Sequence, residues 1–169
     1  VPSAEGKVDV KASAVSNPSI SVTISFDVAS ESTTLSDLVI KNSTYIDKDG
    51  DLTRNEGCDG SIKFIDKNHA EFYTGLYGEN ITFTFTPVFD DINKTIKFTN
   101  VKTAKTDEEI INFMTNTNAA EIVYPVENSV ANISLDAKKI SNIRLVSAFD
   151  DGELVKEECK DTYTLTHVA

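Results

Sequence analysis

Ile81-Thr82-Phe83-Thr84-Phe85-Thr86, then Asp90-Asp91-Ile92-Asn93-Lys94, then Ile96-Lys97-Phe98, is the stretch that decides the fold class. Apolar and polar residues alternate with a period of two on both sides of an Asp/Asn-rich turn. That is the pattern of a β-hairpin with one dry face and one wet face. The wet positions are largely Thr, a stiff β-branched residue suited to an exposed strand face.

The same pattern recurs along the chain. Ile20, Val22, Ile24, Phe26 and Val28 alternate with Ser and Thr, and Tyr163 and Leu165 alternate with Thr162 and Thr164. Turn chemistry separates the runs at Asp47-Lys48-Asp49-Gly50, Asp66-Lys67-Asn68, Gly75 to Gly78 and Asp150-Asp151-Gly152. About ten short strands at this spacing predict an all-β chain, a single antiparallel β-sandwich over residues 1–169. One segment breaks the alternation. Thr106-Asp107-Glu108-Glu109 has capping-box form and precedes Ile110, Ile111, Phe113 and Met114, which predicts one short helix near 106–115.

The two ends resemble each other weakly, about residues 19–66 and 128–169, with intervening hairpins. Ile24-Ser25-Phe26-Asp27 parallels Ile133-Ser134-Leu135-Asp136, Leu35-Ser36-Asp37-Leu38 parallels Ile140-Ser141-Asn142-Ile143, and an acidic turn, a Glu and a Cys follow in each. Duplicated half-units and chance likeness between short hairpins both account for this.

The chain has 169 residues, 16 Lys+Arg and 27 Asp+Glu, a formal charge of −11. Such a field repels phosphates, which argues against nucleic acid as a partner. No run approaches the roughly 18 apolar residues of a transmembrane helix. Val1-Pro2-Ser3-Ala4-Glu5-Gly6 has neither an initiator Met nor an apolar leader core, as in a mature secreted chain. The expected location is secreted, periplasmic or on the cell surface.

Cys58 and Cys159 are the only cysteines. In a secreted β-protein they are expected to form a disulfide, closing a loop of about 100 residues and contributing up to roughly 4.7 kcal/mol in the chain-entropy model. Two free thiols, or a zinc site with His69 and His167, are the other readings, although zinc ligands are normally more tightly spaced.

Asp47, Asp49, Asp51 and Glu56 form a calcium candidate, because calcium takes six to eight oxygen ligands and Asp-rich loops supply them. The spacing follows neither register of an EF-hand loop completely, and a solvated turn serves equally. Phe72, Tyr73, Leu76 and Tyr77 surround a glycine-flanked turn and form a candidate binding loop. Sequons place glycosylation, in a eukaryotic source, at Asn42, Asn80, Asn93 and Asn132.

No nucleophile elbow, phosphate loop, dinucleotide fingerprint or His-Glu-x-x-His motif occurs. The expected function is therefore a non-enzymatic binding or adhesion module that recognises a protein or glycan partner through loops. A structural subunit of a surface fibre or coat is the second reading, and a carboxylate-dependent hydrolase the third.

Overall fold

A computed structural model describes residues 6–28 and 33–169. The N-terminal stretch read as a processed end lies, up to Glu5, outside the described residues. The chain, expected as one domain, falls into two compact units, Val1–Thr33 and Thr34–Ala169.

Among its described residues the first unit holds a two-stranded antiparallel hairpin, β1 (Gly6–Ser13) and β2 (Ser21–Val28). The Ile20–Val28 alternation thus belongs to this hairpin and not to the main sheet.

The second unit contains α1 (Leu35–Asn42), β3 (Thr44–Ile46), α2 (Asp51–Glu56), β4 (Asp59–Asp66), β5 (His69–Leu76), β6 (Glu79–Asp90), β7 (Thr95–Lys102), α3 (Asp107–Thr117), β8 (Glu121–Pro125), β9 (Val130–Ile133), β10 (Lys139–Asp150) and β11 (Leu154–His167). The β6–β7 hairpin, the turns at 66–68, 75–78 and 150–152, and the capping box of α3 are as the sequence predicts. Two further helices appear. α1 carries its own capping box, Thr34 with Asp37, and α2 is a six-residue turn inside the Asp-rich stretch. The repeat segments take different forms, since Leu35–Leu38 is helical and Ile140–Ile143 lies in a strand.

The all-β class holds, but the architecture is a closed barrel, not a sandwich. Antiparallel pairing runs β3-β4-β5-β6-β7-β9-β10-β11 and returns from β11 to β3 through Thr166↔Ile46 and His167↔Tyr45. Alternation specifies a dry face and a wet face, which both architectures satisfy. What distinguishes them is this closing pair, more than a hundred residues apart in sequence and with no local signature. Irregularities in the β10–β11 register between Ile140 and Ile143, and again between Arg144 and Val146, bend the long strands as closure requires.

An eight-stranded barrel is just wide enough to be filled by side chains or to hold one small ligand. Here Tyr45, Phe64, Phe72, Phe83, Phe85 and Phe98 are buried and fill it. Tyr45 meets Phe64 edge-on with centroids 5.7 Å apart, and Phe85 meets Phe98 at 5.0 Å. Tyr45 keeps its hydroxyl satisfied by donating to the Ala137 carbonyl at 2.6 Å. β8 lies outside the closed ring. It pairs with β10 over residues 145–149, on the edge that β9 uses at Ile140 and Ser141. It also reaches β5, where the Val123 N–H donates to the buried Thr74 hydroxyl at 3.0 Å.

Candidate functional site

The C-terminal end of α2, β8 and the middle of β10 and β11 enclose an open groove whose lining includes Arg54, Glu56, Glu121, Ser147, Glu158 and Cys159. Each element delivers its side chain for a local reason. Asp47 starts α2 by accepting the N–H groups of Asp51, Leu52 and Thr53 at 3.1, 2.9 and 3.2 Å. Gly57, in the left-handed conformation at φ 73°, ends it, so Glu56 is the last helical residue. β8 does not alternate: it buries the adjacent Ile122 and Val123, and Glu121 at the strand's start lines the groove.

Glu56 is the centre of the cluster. It accepts a hydrogen bond from the Tyr163 hydroxyl, while Glu121 accepts one from Ser147. Glu56 and Glu121 also lie against each other. Burial first, then the charge of Glu56 and a hydrogen bond to it, push the Glu121 carboxyl up to about 7. Glu121 is thus the carboxyl of this groove that keeps its proton toward neutral pH, because ionising it costs burial and repulsion from Glu56.

Of the other groove charges, Glu158 is neutralised by a bidentate pair with Arg144, at 2.7 and 2.9 Å. Arg54 is paired with Asp51. Glu157 and Asp161 add further negative charge to the lining and Lys160 a positive one, leaving a net acidic groove.

Cys159 lines this groove and Cys58 is buried in the core, and the expected bridge is not formed: both are free thiols. Cys58 is fully buried and accepts from the Thr74 hydroxyl at 3.9 Å. Burial pushes its thiol up to about 12. Cys159 is half-buried and also pushed to about 12, by burial and then by the charges of Glu56 and Glu121. Thiols held protonated are poor nucleophiles and poor metal ligands. Nor are the histidines of the zinc reading drawn in. His69 pairs with Glu71 at 3.5 Å, and His167 faces the Thr44 carbonyl at 3.1 Å.

The calcium candidate is dispersed. Asp47 is occupied with the helix start, Asp51 pairs with Arg54, Asp49 points outward, and Glu56 turns to Tyr163. Among the described residues no three His, Cys, Asp or Glu side chains converge on a common metal position. The aromatic loop is dispersed too. Phe72 is core, Leu76 packs against the core, and Tyr73 donates to Glu71. Only Tyr77 stands free, 86% exposed at a turn where it and Gly78 both have positive φ. Of the sequon residues, Asn80, Asn93 and Asn132 are exposed, whereas Asn42 is half-buried and donates to the Ala137 carbonyl at 2.8 Å.

Sequence reasoning reached Glu56 but not Glu121, Ser147, Tyr163 or Thr74. Ser147 and Thr74 occupy positions where the alternation calls for an apolar residue, and both are buried. A hydroxyl on a dry face was the available signal.

Compared with known proteins, the chain matches no family model, no curated protein and no solved structure.

Proposed function

We infer that this chain is a secreted or cell-surface binding module, non-enzymatic, that takes a cationic group of a protein partner, a Lys or Arg side chain, in the acidic groove. The observation that carries this reading is the Glu56–Glu121 pair, open to solvent on one side and braced by Tyr163 and Ser147 on the other. An incoming ammonium or guanidinium replaces the proton on Glu121 and satisfies both carboxylates with charge-assisted hydrogen bonds. The filled barrel supplies rigidity, which lowers the ordering cost of binding. The hydrolase reading fits less well. Glycosidic carboxyls stand about 5–9.5 Å apart to admit substrate and water, while Glu56 lies close enough to Glu121 to raise its carboxyl.

The test is calorimetric titration with a Lys-rich peptide at low ionic strength. Affinity is expected to rise about tenfold or more from pH 6 to pH 8 as the proton leaves Glu121, and to be lost in Glu121→Gln. Binding that ignores both pH and the substitution refutes the reading.

A further inference from the structure

The β1–β2 hairpin, taken by itself, has a sided surface. Its register pairs Val8 with Phe26, Val10 with Ile24 and Ala12 with Val22, which places all of these apolar residues on one face. The other face carries Lys7 against Asp27, Asp9 against Ser25, and Lys11 against Thr23. Among the described residues of this unit nothing covers the apolar face, since none of residues 7–27 is buried. Val8, Val10, Ile20, Val22, Ile24 and Phe26 stand 49%, 53%, 63%, 59%, 54% and 53% exposed. A two-stranded hairpin is marginal in water, and needs either further strands or a packed apolar face to be stable.

We propose that this face is a homodimer interface, in which the hairpins of two copies stack face to face as a small four-stranded sandwich. Size, shape and charge favour a second copy as the occupant. Six half-exposed side chains offer on the order of 500 Å² of apolar surface, near the upper end for a monomer. Two such faces bury about 1,000 Å² together, the lower bound of a specific interface. A flat two-stranded face is self-complementary about a twofold axis, as a closed dimer requires. Residues 6–28 carry two Lys and two Asp and are neutral, while the rest of the chain carries the whole net charge of −11. The acidic barrels repel one another, so association is directed to the one neutral apolar surface.

The experiment uses the full chain. Light scattering after gel filtration, over micromolar to hundreds of micromolar protein, is expected to give twice the monomer mass. Ile24→Glu on the apolar face is expected to give a monomer, and Thr23→Glu on the polar face to leave the dimer intact. Because Ile24→Glu could simply unfold the hairpin, a photo-crosslinking residue at Val22 is compared with one at Thr23. The first is expected to join two copies and the second not. A monomer at every concentration, a dimer that survives Ile24→Glu, or equal crosslinking from both positions overturns the proposal.

Discussion

Replacing Glu121 by Gln separates this groove carboxyl from the acids held low elsewhere in the molecule, because its effect on stability has the opposite sign. Asp37, Asp90, Glu109, Asp136 and Glu158 are all held below the ordinary carboxylate range, chiefly by hydrogen bonds to their charged forms. Those groups stabilise the fold above their unfolded pKa values and lose that contribution as pH falls through their lower folded ones. Glu121 is raised from 4.5 to about 7. Between those values the native state binds more protons than the unfolded chain, so this residue lowers stability as pH rises through that window. At about 1.4 kcal/mol per tenfold, the full span is up to about 3 kcal/mol. Solvent screening in an open groove reduces this to about 1–2 kcal/mol. Glutamine keeps an acceptor for Ser147 and cannot ionise. The variant is therefore expected to match wild type at pH 4.5 and to exceed it by about 1–2 kcal/mol at pH 8, or about 3–6 °C in Tm. Thermal melts at half-unit pH intervals measure the difference. Glu56→Gln, which removes the neighbouring charge, is expected to move the midpoint of the wild-type decline to lower pH. Parallel profiles for wild type and Glu121→Gln from pH 5 to 8 refute the raised Glu121 carboxyl.

Three further outcomes follow from the packing around the site. Thr74→Val preserves volume but leaves the buried Val123 N–H without its acceptor, so chemical denaturation is expected to show a loss of about 1–3 kcal/mol. Asp47→Ala strips the acceptor from three N–H groups at the start of α2 and is expected to cost about 1–2 kcal/mol, while millimolar calcium leaves Tm unchanged in either protein. In native protein, alkylation at elevated pH is expected to modify half-buried Cys159 slowly and Cys58 only after unfolding, as peptide mass spectrometry will show.

How much of this was legible in the sequence depends on how far each determinant reaches along the chain. The β6–β7 hairpin and the α3 cap are local. Alternation, turn residues and the Thr106–Glu109 box lie within a few residues of what they specify, and they were read correctly. α1 was missed although its box is equally local, because Asp37 stands where Glu or Gln is the usual signal and eight residues show little periodicity. Closure of the barrel could not be read, since it rests on two residue pairs between β11 and β3. The groove was half legible. Glu56 lies in a conspicuous acidic stretch, but Glu121, the Tyr163 that donates to Glu56 and the Ser147 that donates to Glu121 come from three separate strands.

The carboxylates of the acidic turns have work to do in the fold itself. Asp90 accepts the N–H groups of Ile92 and Asn93 within its own turn, at 3.1 and 2.9 Å. Its neighbour Asp91 reaches across to α1 and accepts both the N–H and the hydroxyl of Ser36, at 2.7 and 2.9 Å. Glu127 holds the N–H groups of Asn100 and Val101 at 3.0 and 2.7 Å. Asp66, Asp136 and Asp150 each accept an N–H two residues on. A barrel of short strands has many turns and three helix starts, each leaving backbone donors unpaired, and a carboxylate is the strongest acceptor available for them. Much of the negative charge is thus engaged by the backbone. Among the described carboxyls that are clearly shifted, Glu121 alone is raised, by burial and then by Glu56, and that separates the groove from the turns.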